Sequence, residues 1–329
     1  ENKMKKALVA LTVLFMIRGF WATSVMAIDY PTKPITIIIP WGAGGMSTLS
    51  TRMLGEKMKS ILGQPVVFIN KPGASGIIGL NAVKKSKPDG YTLASGALTL
   101  GLTAPYFFET DRFDVDDFDY IGSYMPQERV LFTTLDKPYK TWPEFIAYSK
   151  KNPGKVSVGS GGAQWALEVM KSIAKKEGIK WKYVMFKSGG AASSAILGGH
   201  VDVCETGTGT PAYQSARQNK LRILVDLGAE TVPFFPQVKN LKNYGYRFTT
   251  ALEYGMALPK GVSEEIRAKL ESALKTAMQD KELMAKMGKT GFTPRFVTGY
   301  GYRNIAIGAI NDTPALQQFV KDVKRSEEH

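Results

Sequence analysis

The stretch from Ile35 to Ser47, I-T-I-I-I-P-W-G-A-G-G-M-S, limits the possible folds more than any other part of the chain. An apolar β-branched run stops at a proline, turns through glycines and opens into a helical pattern. A short continuous apolar run bounded by turn residues is the signature of a strand buried on both faces, as in a parallel sheet covered by helices. Gly42, Gly44 and Gly45 carry no Cβ, so their backbone N–H groups can come close to a bound group. A helix beginning near Thr48 would aim its unpaired N–H groups and positive dipole end at the same point, which predicts an anion-binding loop.

The pattern recurs. Asn70-Lys71-Pro72-Gly73-Ala74-Ser75-Gly76 follows a second apolar run, and Gly159-Ser160-Gly161-Gly162-Ala163 and Lys187-Ser188-Gly189-Gly190 follow two more. Strands are expected at 35–39, 66–69, 92–94, 130–133, 155–158, 181–186, 201–204 and 223–227, with helical patterns between them. Leu54, Met58 and Ile61 repeat at helical spacing before Gly63-Gln64-Pro65, and Ser263 could cap a helix carrying Ile266, Leu270, Leu274 and Met278. Alternation of this kind predicts an α/β fold. The acidic, aromatic stretch 111–119 running into Tyr120-Ile121-Gly122-Ser123, and later 250–257, read as crossings between two lobes. In open α/β sheets ligands bind beyond the carboxyl ends of the strands, so two such loops per lobe could face one cleft.

Nucleotides fit poorly. A phosphate loop of the NTPase type ends in Gly-Lys-Ser/Thr, whereas Gly45 is followed by Met46 and Ser47. The dinucleotide pattern needs glycine where Ser47 stands and an acid where Asn70 stands. Catalytic groups are sparse, with only two histidines, His200 and His329. On a strand at 201–204, His200, Asp202 and Cys204 would share a face. Residues two apart on one strand do not converge like a catalytic triad, so a buried thiol in a packed strand is the simpler reading. No catalytic, metal or cofactor site is expected.

The N-terminus has a basic start (Lys3, Lys5, Lys6), an apolar run from Ala7 to Ile17 and the small-residue site Val25-Met26-Ala27. This predicts a signal peptide over 1–27 and a periplasmic protein; a retained membrane anchor is the alternative. Its removal would lower the net charge from +14 to +11, by loss of Lys3, Lys5, Lys6, Arg18 and Glu1. The basic residues are scattered and no nucleic-acid motif accompanies them, so the charge suggests attraction of small anions and not of nucleic acid. A lone cysteine, Cys204, leaves no intrachain disulfide, and stability must come from the core.

Taken in order, these segments resemble the solute receptors of tripartite tricarboxylate transporters, the Bug or TctC-type periplasmic binding proteins. The resemblance runs from Tyr30-Pro31-Thr32-Lys33-Pro34 through the loops above and Lys87-Pro88-Asp89-Gly90-Tyr91, Gly199-His200-Val201-Asp202 and Leu258-Pro259-Lys260-Gly261. It implies a two-lobed periplasmic binding protein-like fold of type II, a Venus flytrap with two mainly parallel sheets joined by crossing strands. Lobe 1 would comprise 28–123 and 251–329, and lobe 2 would comprise 124–250. It further implies a small organic carboxylate held by loops of both lobes and delivered by a monomeric receptor to the large and small membrane subunits of a transporter. Carried over by position, the ligand contacts would be Trp41, Gly44, Gly45, Met46, Ser47, Ala74, Ser75, Ser95 and Gly96 from lobe 1. Lobe 2 would supply Ser160, Gly161, Gly162, Ala163, Ser188, Gly189, Thr206 and Gly207.

Two departures from the family bear on the ligand. Thr48 stands where the family often has Asp, and the loop Ser160-Gly161-Gly162-Ala163-Gln164-Trp165 is shorter than usual and lacks a customary His-Leu. Trp165 near that loop hints at an aromatic or bulky acid. A solute sensor for a regulatory partner, and an exported enzyme using the same cleft, are the competing readings.

Overall fold

The apolar β-branched runs form the strands of two sheets, and the segments of helical spacing cover them. The computed structural model describes residues 29–108, 113–162, 164–228, 232, 234–246 and 252–325, and the fold below is that of the unit Pro31–His329. The expected signal segment lies outside the described residues. Among the described residues no helix is long and apolar enough to cross a membrane.

The strands are β1 (Ile35–Ile39), β2 (Val66–Asn70), β3 (Thr92–Gly96), β4 (Phe118–Gln127), β5 (Arg129–Thr134), β6 (Ser157–Gly161), β7 (Lys182–Phe186), β8 (Val203–Gly207), β9 (Leu221–Asp226), β10 (Leu252–Pro259) and β11 (Val297–Thr298). The helices are α1 (Met46–Leu62), α2 (Ile77–Lys84), α3 (Leu98–Thr103), α4 (Pro105–Phe108), α5 (Trp142–Lys151), α6 (Gln164–Lys176), α7 (Gly189–Leu197), α8 (Pro211–Arg217), α9 (Glu264–Met278), α10 (Lys281–Lys289) and α11 (Gly299–Arg325).

One sheet has the order β11-β4-β10-β3-β1-β2 and the other β7-β6-β8-β5-β9. In each, three strands joined through helices are parallel: β2, β1 and β3 in the first, and β7, β6 and β8 in the second. The rest pair antiparallel, so both sheets are mixed. The expected parallel character therefore belongs to the halves built from strand-loop-helix units. The antiparallel halves arise because the chain passes between sheets on strands and not on helices.

That passage is abrupt. β4 runs past Ser123 to Gln127, β5 starts at Arg129 in the other sheet, and Glu128 alone separates them. Two further strands lie later in sequence than expected. β6 continues through Gly159, Ser160 and Gly161, because the Phe186 ring and the Cys204 thiol fill the space beside Gly159: a Cβ there would stand 2.9 and 3.0 Å from them. β8 likewise begins at Val203, which leaves His200 exposed and Asp202 ahead of the strand. Asp202 accepts from the Ser157 N–H at 2.8 Å and from the Lys137 ammonium at 2.5 Å. Cys204 is fully buried and burial pushes its thiol well up, so it is inert packing beside strand partners.

The expected helix stripes face the core in part. Leu54 and Met58 are buried on α1 while Ile61 is exposed, and Leu270, Leu274 and Met278 are buried on α9. Ser263 caps α9 by accepting the Ile266 N–H.

Beside the crossing, Asp226 at the end of β9 is buried and accepts the Gly228 N–H at 2.8 Å. Burial pushes its carboxyl from 3.8 up to about 7, while that N–H and a hydrogen bond with Glu128 pull it down. A folded-state value above the unfolded one means that the folded chain holds a proton the unfolded chain releases. The associated stability is complete below about pH 4 and is lost as the pH rises through about 7. Asp226→Asn should therefore flatten the fall in Tm between roughly pH 5 and 7.5 seen by scanning calorimetry, and an unchanged slope would refute this assignment.

Candidate functional site

The glycine loop after β1 is fastened from below by the end of β2. Asn70 Nδ2 donates to the Trp41 carbonyl at 2.8 Å and to Thr48 Oγ1 at 2.7 Å, and Thr48 Oγ1 donates to the Gly42 carbonyl at 3.2 Å. Thr48 is thus a clip within the loop. α1 then begins at Met46, with Gly45 as an extended N-cap whose position is closed by no side chain. The first-turn N–H groups and the positive end of a 17-residue helix are thereby presented beyond the sheet.

Trp41 lies over two glycines. A Cβ at Gly76 would stand 3.1 Å from its ring, and one at Gly96 3.0 Å, and both glycines adopt positive φ. The loop leading to Gly76 is itself strained, with Ala74 and Ser75 at φ 45° and 51°, a conformation that side chains seldom adopt. In the other lobe Ser188 caps α7 by accepting the Ala191 N–H at 3.2 Å. Gly161 and Gly189 flank Thr206, where a Cβ on either would stand 2.9 or 2.7 Å from Oγ1.

These parts line one cleft that is partly open to solvent. Trp41, Gly45, Met46 and Ser47 line it from the first lobe, and Gly161, Gly162, Ser188, Gly189, Thr206 and Gly207 from the second. The rims touch: a Cβ at Gly190 would stand 3.5 Å from the Gly44 carbonyl oxygen, and one at Gly209 3.1 Å from Met46 Cε. Gly44 and Ser75 line neighbouring hollows, and Ala74 is exposed beside Ser75.

Two expected hydroxyls are directed into the protein. Ser95 is buried and hydrogen-bonded to Thr51 at 2.8 Å, within a cluster that includes Ser50 and the Tyr124 hydroxyl. Ser160 is buried and donates to Glu205 Oε2 at 2.9 Å. Gly96 serves as the seat of Trp41 and Ser47. Ala163 and the side chain of Trp165 lie outside the described residues.

Sequence reasoning missed the floor of the cleft. Arg129, Tyr254, Ala97 and Leu100 line it, all from the crossing strands or the β3–α3 junction. Arg129 is 5% exposed and forks onto Glu205, its Nε bonding Oε1 and its Nη2 bonding Oε2 at 2.8 Å. Burial opposes its charge, but the Glu205 carboxylate outweighs that and holds the guanidinium above its ordinary value. At the mouth, Lys187 is exposed and makes no ion pair with another described residue. Lys187 was legible, since it precedes Ser188 in a recognised loop. Arg129 was not, because nothing in sequence marks a charge heading an apolar strand as buried.

Among the described residues lining the cleft none is acidic, and two, Arg129 and Lys187, are cationic. Two buried polar atoms on its wall, Trp41 Nε1 and Thr206 Oγ1, have no hydrogen-bond partner in the protein. Most buried polar groups in native proteins are satisfied, so this pair marks where a ligand or water would complete the set.

Two α/β lobes of mixed sheet, joined by crossing strands and meeting at a cleft beyond the strand ends, define the periplasmic binding protein fold. The chain belongs to the TctC family, described as the tripartite tricarboxylate transporter family receptor, whose model it matches over residues 50–316. This is a family of transport receptors and not of enzymes. A curated relative, the UPF0065 protein in the gbd 5' region of Cupriavidus necator, is 33% identical over 289 residues, 87% of either chain. Periplasmic binding protein BugD superposes with a TM-score of 0.77 at 24% identity, covering 90% of this chain and 99% of its own. R. palustris Rpa4515, solved with adipate, superposes with a TM-score of 0.78 at 19% identity, covering 89% of this chain and 99% of its own.

Replacing Asn70 with Ala removes both bonds that fasten the first loop. A loss of about 1–3 kcal/mol in urea unfolding is expected. Unchanged stability would show that the loop is held by other means.

Proposed function

We propose that this receptor captures a small organic carboxylate in the interlobe cleft and delivers it to the membrane subunits of a tripartite tricarboxylate-type transporter. The observation that carries the reading is the pair of unpartnered buried donors, Trp41 Nε1 and Thr206 Oγ1, on the wall of a cleft that contains cations and no acid among its described lining. Around them the starts of α1 and α7 present backbone N–H groups from opposite lobes, the arrangement that suits an anion. The carboxylate would be held by Trp41, Gly45, Met46 and Ser47 on one side and by Gly161, Gly162, Ser188, Gly189, Thr206 and Gly207 on the other. The binding of adipate by Rpa4515 supports a carboxylate. Export by a cleaved signal peptide over 1–27 agrees with delivery to a membrane transporter.

Closure follows from where the contacts lie. A solute bridging both lobes gains its full set of hydrogen bonds only when the rims meet, so it favours the closed state by its differential affinity. The net charge of +11 left after removal of 1–27 and Lys187 at the cleft draw anions in, and this attraction weakens as salt rises.

A thermal-shift screen of the purified protein against di- and tricarboxylates, aromatic acids and acidic amino acids tests the reading. A ligand at 100 times its Kd stabilises by about 2.7 kcal/mol, and sugars or cations acting where no carboxylate does would overturn it. Gly45→Val separates binding from folding. Gly45 has an extended φ of −87°, and a Cβ there would find nothing nearer than the Gly42 carbonyl at 3.8 Å. The variant should stay folded, with a Tm lowered only by the poorer N-cap that valine makes, and lose at least about tenfold in affinity, because the side chain stands where the solute must approach. Retained affinity would remove the first loop from the site.

A further inference from the structure

Beside the cleft lies a second hollow that the carboxylate grip leaves unused. Trp41, Gly42, Gly162 and Lys187 line both, and the hollow, like the cleft, takes its walls from both lobes. It is the roomier of the two. The rest of its lining is mostly apolar, with Pro40 and Pro72 on the side of the first lobe and Met185 and Phe186 on the side of the second. Lys187 is the one charged residue among its described lining. Small-molecule pockets have this composition, an apolar wall with a few polar groups that fix orientation.

The two sides of the hollow differ in how firmly they are held. On the first lobe the start of α2 is pressed against the wall. A Cβ at Gly79 would stand 2.7 Å from Pro40 Cα, and one at Gly76 3.1 Å from the Trp41 ring. On the second lobe the Phe186 ring is wedged beside Gly159, where a Cβ would stand 2.9 Å from it. Met185, by contrast, is 41% exposed near the end of β7, the edge strand of its sheet. One exposed methionine is ordinary on its own. Here it shares a hollow with an indole and two prolines, and a flexible, polarisable thioether adapts well to an aromatic ring.

We propose that the second hollow is a subsite for a bulky apolar body of the solute, an aromatic ring, so that this receptor takes aryl-substituted carboxylates in preference to short aliphatic ones. The proposal rests on the carboxylate reading above and deepens it by naming the rest of the solute. The acid group lies in the cleft among the loop N–H groups, and the ring lies past Trp41 against Met185 and the two prolines. Trp41, the wall common to both spaces, offers the ring an aromatic partner. Lys187 sets positive charge at the junction, on the side of the acid group.

Calorimetric titration of the purified protein with acetate, propionate and butanoate, each against its ω-phenyl counterpart, tests this. At one or more of these chain lengths the phenyl acid should bind about 10- to 100-fold more tightly, the range expected for burying one group of that size. Met185→Glu places a charge in the hollow at an exposed position where folding tolerates it, as a thermal melt would check. The added charge repels both acids of a pair alike, so the readout is their ratio, which should fall at least about fivefold. Met185→Leu should keep the ratio within about twofold. Equal binding of the two series, or binding of dicarboxylates while neither series binds, overturns the subsite and leaves the carboxylate reading standing. So does a ratio that Met185→Glu leaves unchanged, since the ring would then lie elsewhere. If 3-phenylpropan-1-ol binds as tightly as 3-phenylpropionate, the carboxylate reading itself falls.

Discussion

The antiparallel ladder between β4 and β10 is the feature on which the rest of the structure depends. Its register runs from Phe118 opposite Pro259 to Gln127 opposite Leu252, with irregularities between Tyr254 and Gly255 and between Met256 and Ala257. Glycines allow the two strands to pack tightly against their surroundings. A Cβ at Gly255 would collide with the Tyr302 ring and the Gly122 carbonyl, and Tyr302 is fully buried there. Because β4 gives way to β5 across one residue, the second sheet is tied to the first by a short, extended connection. The floor of the cleft is consequently built from the strands that cross between the sheets, with Arg129 and Tyr254 lining it.

The walls repeat one physical device and vary its details. A strand ends, glycines permit a close backbone approach, and a helix begins with its N–H groups directed outward. In the first lobe Asn70 and Thr48 fasten the loop, and Gly45 leaves the helix start bare. In the second lobe Ser188 caps its own helix, so its hydroxyl already has a donor in the Ala191 N–H while remaining on the cavity wall. Neither wall contributes an acid among its described lining residues. Backbone amides make good general anion holders, but they discriminate weakly between one carboxylate and another. Discrimination then falls to side chains elsewhere in the cavity.

What the sequence disclosed and what it concealed divide along this line. The loops were readable because glycine is favoured where the backbone must come close or adopt positive φ, as at Gly76, Gly96 and Gly162. The crossing on β4 was readable only as a change in composition, since Phe118-Asp119-Tyr120-Ile121-Gly122-Ser123-Tyr124-Met125-Pro126-Gln127 shows neither apolar continuity nor alternation. Ser95 and Ser160 illustrate a different limit. A hydroxyl at a strand end can serve a ligand or the protein interior, and the register of the strand decides which. Ser95 joins Thr51, and Ser160 joins Glu205. Arg129 lay deepest, because its burial depends on Glu205, a residue far along the chain that only pairing of β5 with β8 brings near.

The backbone around Arg129 also joins the cleft to the crossing between the sheets. Its neighbour Glu128 is the residue at which the chain changes sheets, and the Thr208 N–H bonds the Glu128 carbonyl while the Leu227 N–H bonds that of Arg129. Backbone bonds from the turn after β8 and from the end of β9 therefore tie the crossing residues to the second sheet. A solute touching both walls would therefore be held on either side of this short connection, and the contacts that form only when both walls are engaged are those that would separate one arrangement of the lobes from another.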